Sequence, residues 1–192
     1  MKKSAFLYFF ILVLVTCGYS QIDTVKQRVL KYEIDSQVPC FIFGGYQLSL
    51  GLVYKDFRFR TEIQNSGSIN YGQFGLTNKN EKFERTIDNF SVGIVTDYYI
   101  RKWFFTSISL HTRNWLVTNI ETSDKINMQT YDAGIGFGFQ VFPFKQKLLK
   151  HLFFQATGFF TFRPKQSISV GSLNYTISNF DILPGMRIGL RF

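Results

Sequence analysis

Residues 57–64 read Phe57-Arg58-Phe59-Arg60-Thr61-Glu62-Ile63-Gln64, with every charge on an even position and the apolar or small groups on odd ones. A strict period of two belongs to a β-strand whose faces meet different surroundings. Across the two-residue break Lys55-Asp56 the pattern continues. In residues 44–54, Tyr46, Leu48, Leu50, Leu52 and Tyr54 share one face and Gly45, Gln47, Ser49 and Gly51 the other. Residues 90–99, 104–113, 131–141, 152–162 and 180–192 alternate in the same way. Seven such segments predict antiparallel β structure.

Parity alone does not say which face is inside, since a water-soluble barrel alternates too. Lysine decides. A water-washed sheet face is rich in Lys, Glu and Thr, whereas Lys55, Lys79, Lys82, Lys102, Lys125, Lys145, Lys147, Lys150 and Lys165 all fall in connections. The polar face holds Gly, Ser and Gln with a few Arg and Asp, the inventory of a crowded interior. The apolar face is uncharged, as lipid requires, because a charge at the bilayer midplane costs roughly 2–4 kcal/mol. The aromatic side therefore faces lipid and the polar side a lumen.

Connections 54–57, 100–103 and 143–151 are short, and 65–88, 116–130 and 163–179 are longer and polar. That alternation matches short periplasmic turns and long outer loops. Tyr54, Phe57, Tyr98, Tyr99, Trp103, Phe142 and Phe144 cluster beside the short turns, as an interfacial girdle would. An open sheet edge in hydrocarbon leaves unpaired backbone groups costing several kcal/mol each, so the sheet must close. With both termini on the periplasmic side, three short turns need eight strands, and the first is placed at residues 26–35. Pro39 serves the loop after it, and Pro184 suggests a bulge or an unpaired position in the last strand. The expected fold is all-β: an eight-stranded antiparallel transmembrane β-barrel.

The whole chain has 192 residues, 45% apolar, 18% aromatic and 18% charged, with 23 Phe. Such a composition excludes disorder, and two cysteines exclude a disulfide scaffold. Lys2 and Lys3 precede the apolar run Ala5–Val15, and small residues precede a cut after Ser20, so residues 1–20 read as a signal peptide and 21–192 as the barrel domain. Cys17 loosely fits a lipidation site. Without residues 1–20, 20 basic side chains stand against 13 acidic ones, and Cys40 is the one remaining thiol.

The ending Phe180-Asp-Ile-Leu-Pro-Gly-Met-Arg-Ile-Gly-Leu-Arg-Phe192, with Phe180, Ile188, Leu190 and Phe192 on its apolar side, resembles the C-terminal assembly signal of outer-membrane proteins. With the leader and the strand count, the chain resembles the small eight-stranded, porin-like outer-membrane barrels of the OmpA, OmpX and OmpW type. That resemblance implies the barrel-assembly machinery as a partner during biogenesis, and outer-membrane lipid with lipopolysaccharide as surroundings.

A bore of eight strands is just wide enough to be filled by side chains. The expected fillers form a polar network of Arg58, Arg60, Arg113, Arg187, Arg191, Glu62, Asp97, Asp132, Asp181 and His111. Strand order pairs Arg58 with Asp97 and Arg113 with Asp132. Structural glue is the favoured role, and an ion-selective path stays open because Gly134, Gly136 and Gly138 leave room for water. A barrel subunit of a secretion or assembly complex is a further alternative, as is a lipid A-modifying enzyme built on Ser109 and His111 with Glu62 or Asp97. Parity puts those groups in the lumen, away from acyl chains, so the expectation is no enzyme. The run Gly134–Gly138 opens no helix and is not a phosphate loop. Two histidines, His111 and His151, with a distant Cys40 give no metal site, and no cofactor is expected. The basic residues lie mainly in loops, so nucleic acid is not an expected partner. Residues 168–177 read as a hairpin turning on Gly171-Ser172. That hairpin would extend the last strand pair outward, and 166–178 either binds a surface protein partner by strand addition or folds over the barrel mouth.

Overall fold

The structure, a computed structural model, describes residues 30–71, 81–87, 91–147 and 149–192. The proposed leader, Cys17 and the start of the expected first strand lie outside the described residues. Eight strands close the barrel: β1 (Lys31–Gln37), β2 (Tyr46–Tyr54), β3 (Phe57–Asn65), β5 (Ser91–Arg101), β6 (Phe104–Asn119), β7 (Lys125–Val141), β8 (Leu152–Phe162) and β11 (Phe180–Arg191). Each pairs antiparallel with its neighbours in the cyclic order β1-β2-β3-β5-β6-β7-β8-β11. Phe192 and Tyr32 exchange backbone hydrogen bonds of 2.9 and 3.0 Å where the last strand meets the first.

The inside-out orientation holds. Arg58, Arg60, Ser49 and Asp97 are buried, while Ile108, Tyr131 and Ile135 on the opposite parity keep 67%, 64% and 61% of their surface exposed. Exposed apolar area on that scale needs an apolar partner, and on a closed wall that partner is lipid. At the turn end Trp103 stacks on Phe139 at 5.6 Å and Phe57 packs against Tyr98 at 5.1 Å, building an aromatic rim. Tyr99 is a correction: it points inward, 8% exposed, because it shares parity with Asp97.

The loop end departs from expectation in several ways. The first strand is shifted to Lys31–Gln37, and Pro39 opens a short helix, α1 (Val38–Ile42), where its missing N–H costs nothing. Residues 116–130, expected as a loop, are mostly hairpin: β6 and β7 run on to a tight turn at 120–124. Within 65–88, β4 (Phe83–Ile87) pairs with Trp115–Asn119 of β6, taking the flank that β5 occupies lower down. Hairpin β9 (Gln166–Val170) and β10 (Leu173–Ile177) forms as expected, with Gly171 at a φ of 63°. It is a separate two-stranded sheet, not an extension of β8 and β11. Pro184 makes no bulge, since it lies in unbroken register with Gly158. The ladder with β1 ends at Arg187, so Pro184 has a neighbour on one side only and its absent donor is accommodated.

Along β7 the pattern inverts. Outward residues are Phe137, Ile135, Ala133 and Tyr131, then Gln129, Asn127 and Lys125; inward ones are Gly134 and Asp132, then Thr130, Met128 and Ile126. The change marks where lipid gives way to water. Above it, Phe83, Ile87, Trp115, Val117, Met128, Val170, Tyr175 and Ile177 form an apolar core of their own. The 166–178 segment thus packs its apolar side into this cap through Val170, Tyr175 and Ile177.

Candidate functional site: the filled lumen

From the turn end upward the inward charged side chains form two bonded clusters, one reaching from Arg191 to His111 and one from Arg113 to Arg85. Arg191 pairs with Glu33 and donates to Gln140 at 2.6 Å and to the Tyr99 hydroxyl at 2.9 Å. Above it Arg58 donates to Asp97 at 2.6 Å, Glu33 at 3.1 Å and Gln155 at 2.8 Å, its guanidinium lying over the rings of Phe105 and Tyr99. Arg60 also donates to Asp97, at 3.1 Å, and lies 3.8 Å from Asp35. In mid-barrel Arg187 bridges Asp35 at 2.8 Å and Glu62 at 2.5 Å, and Glu62 meets His111 Nε2 at 2.6 Å. Toward the mouth Asp132 takes Arg113 at 3.0 Å and both arms of Arg163 at 3.0 Å. Arg85 donates to Asp181 at 2.8 Å, with Arg163 3.6 Å from the same carboxylate.

All ten expected network residues line the lumen, and both anticipated pairs are in contact. Among the described residues the lower column sets Arg58, Arg60, Arg187 and Arg191 against Glu33, Asp35, Glu62 and Asp97. Such balance is what a low-dielectric interior demands of buried charge. Glu33, Asp35, Arg85 and Arg163 were missing from the expected set. Glu33 and Asp35 share the inward parity of β1 and Arg163 continues that of β8, so their signal was present. Arg85 sits on a five-residue strand that nothing in the sequence distinguishes from loop.

The lumen glycines are a correction as well. The space beside them is occupied: a Cβ on Gly136 would come within 2.8 Å of the Phe159 ring, one on Gly138 would collide with Phe105, and one on Gly134 would meet the Ser109 hydroxyl at 2.5 Å. Phe153 likewise covers Gly189. Gly136, Gly138 and Gly189 make room for rings, and Gly134 for a serine hydroxyl. Two concavities of about 690 and 720 Å³ are framed largely by outward residues, among them Leu50, Ile94 and Leu110, on the wall.

The Ser109 hydroxyl lies against Gly134, and His111 Nε2 meets Glu62. No cluster of His, Cys, Asp and Glu among the described residues could hold a metal ion. The assembly-signal residues Phe180, Ile188, Leu190 and Phe192 lie on the outward parity of β11, with Phe180 packed on Phe160 and Phe162. At the mouth, burial pushes the Tyr71 hydroxyl up to about 12 and raises the Cys40 thiol above its usual range. Cys40 is fully buried between Gln37 and Gln64. Raising its pKa lowers the thiolate fraction at neutral pH. Maleimide should therefore label Cys40 at least tenfold faster in urea than in the folded chain carrying Cys17→Ser; equal rates would refute the buried placement.

A closed, antiparallel eight-strand wall, apolar outside and ion-paired inside, defines a transmembrane β-barrel. The chain is similar to the N-terminal β-barrel domain of Pseudomonas aeruginosa OprF, at 13% identity and TM-score 0.46 over 86% of this chain and 98% of that one. It is also similar to a major outer membrane protein of Thermus thermophilus, at 11% and 0.48 over 85% and 100%. A third likeness is to Neisserial surface protein A, at 11% and 0.42 over 84% and 92%. No family model and no curated protein matches the chain. Identities this low carry no residue role from those proteins to this one.

Proposed function

We propose that this protein is a non-enzymatic integral barrel of the bacterial outer membrane, exported by its N-terminal leader, with a bore sealed by its own side chains and a folded cap above the membrane. Its role is then structural or in surface contact. The carrying observation is a bore filled by two clusters of arginines and carboxylates, Arg191 to Glu62 below and Arg113 to Arg85 above, with Phe105, Phe153 and Phe159 filling the space over the glycines. An ion crossing the bore would have to displace charges already paired with each other in a low-dielectric interior. The surrounding partners are outer-membrane lipid and lipopolysaccharide, and the barrel-assembly machinery acts during insertion. Surface contact through 166–178 would use its polar face, where Ser167 bonds Thr176 at 2.7 Å and Ser169 bonds Asn174 at 2.8 Å.

Planar-bilayer recording tests the seal. Purified protein should insert without stepwise conductance at any moderate voltage. Reproducible unitary steps scaling with salt concentration would replace the sealed barrel by a narrow channel.

A further inference from the structure

The connection between β1 and β2 differs from the other connections at this end. Residues 36–54 contain no charged side chain, whereas 65–88, 120–124 and 163–179 all carry Lys, Arg, Asp or Glu. Along one row of paired positions the outward residues run Leu48, Ile63, Val92, Thr112 and Tyr131. Beyond that row the β6–β7 side turns polar at Asn114 and Gln129, entering the cap. The β2 side stays apolar through Tyr46 to Phe43, Ile42 and Phe41, of which Ile42 is 73% and Phe41 58% exposed.

These side chains are held out, not left loose. Cys40 fills the space beneath α1, and Gly45 donates to its carbonyl at 2.8 Å. The Ser68 N–H and hydroxyl donate to the Phe43 carbonyl at 2.9 and 3.1 Å. Gly45 lies so close to the backbone of Asn65–Gly67 that any Cβ would collide with it. A rigid base thus presents two large apolar groups that could otherwise turn inward. In water that arrangement leaves apolar area uncovered with no compensation. At a bilayer interface it gains stability, since apolar groups on an uncharged tip bury into the boundary between headgroups and acyl chains.

We infer that Phe41, Ile42 and Phe43 form a membrane-inserted foot, in which the apolar belt continues upward from Leu48 and Tyr46 into the outer leaflet. Its occupant is lipid hydrocarbon. The barrel is thereby lopsided: one side is pinned in the leaflet by the foot while the opposite side lifts the cap clear of it. The inference rests on the transmembrane reading and adds a contact outside the strands.

Site-directed spin labelling separates the two. The full chain carrying Cys17→Ser and Cys40→Ser would be folded into dimyristoylphosphatidylcholine vesicles with a single label through Ile42→Cys, Leu50→Cys or Ser172→Cys. Collision rates with oxygen, which enriches in hydrocarbon, and with a water-soluble nickel chelate report each label's surroundings. The label at position 42 should show an oxygen-to-nickel ratio of the Leu50 class, several-fold above that at position 172. A water-like ratio at 42 with a lipid-like ratio at 50 overturns the foot and leaves the barrel in the membrane. Water-like ratios at both overturn the transmembrane reading itself. Spectral broadening at 42 that vanishes on dilution with unlabelled protein identifies a second copy as the occupant and also overturns the foot. Ile42 is largely exposed, so its replacement does not disturb packing, and Phe41→Cys repeats the measurement one residue away.

Discussion

Arg58→Ala is expected to lower the unfolding free energy of the barrel by about 3 kcal/mol, near the bottom of the 3–5 kcal/mol range for breaking a buried ion pair from one side. Arg58 is fully buried and serves two carboxylates and an amide at once, bonding Asp97, Glu33 and Gln155. Alanine removes the cation but leaves both acids in the bore. The loss stays moderate because neither acid is left alone: Asp97 keeps Arg60 and Ser107, and Glu33 keeps Arg191. Packing adds to the cost, since the guanidinium plane covers the Phe105 ring at 4.7 Å. Urea titration in lipid vesicles gives the number. Adding Asp97→Asn should recover part of it, with a coupling energy of about 1–3 kcal/mol between the two positions. A loss below about 1 kcal/mol would mean that the stranded carboxylates reach water. The bore would then be hydrated, and the sealed-barrel proposal would fail with it.

The orientation of the wall was legible because the lipid face tolerates no charge and the lumen must pair its own, so Phe57-Arg58-Phe59-Arg60 has one consistent reading. The pairs followed from strand order: Arg58 and Asp97 are directly opposed in the β3–β5 register, and Arg113 and Asp132 lie two rows apart on β6 and β7. What escaped did so for physical reasons. Above the membrane, water lies outside and an apolar core inside, so the code that holds below Tyr131 reverses above it. Asn127, Gln129 and Lys125 looked like loop because they are outward groups of a strand in water. Phe105, Phe153 and Phe159 escape because a lumen-facing glycine reads as empty space. A strand glycine permits close approach, and Gly136, Gly138 and Gly189 are each approached by a ring from a neighbouring strand. The spacing of Gly136, Gly138 and Gly189 was the available signal.

The reversed pattern above the membrane implies a second unit whose stability is its own, and Trp115→Ala should separate it from the barrel. Trp115 is fully buried at the floor of the cap, in contact with Tyr71 edge-on at 5.6 Å. The guanidiniums of Arg85, Arg163 and Arg113 lie 4.5, 5.6 and 5.9 Å from its ring. Its indole N–H donates to Thr130 Oγ1 at 2.9 Å, and that hydroxyl donates to Asp132 at 2.8 Å, tying the cap to the top of the ion-pair column. Truncating a buried tryptophan costs about 3–5 kcal/mol. The cap core is small, and β9–β10 enters it mainly through Val170, Tyr175 and Ile177. A loss of that size should release the hairpin while the wall below keeps its continuous ladder. Limited proteolysis of the variant is expected to cut within 166–178 at protease levels that leave wild type intact, and the resistance of the membrane-embedded strands should be unchanged. Trp115→Phe keeps an apolar ring and gives up the hydrogen bond to Thr130, so it should cost about 1–3 kcal/mol through the unsatisfied hydroxyl site and retain most protection. Undiminished protease resistance in Trp115→Ala would show that polar contacts hold the hairpin in place of this core. Loss of the whole barrel would show that cap and wall fold as one, contrary to the division that the reversed pattern implies.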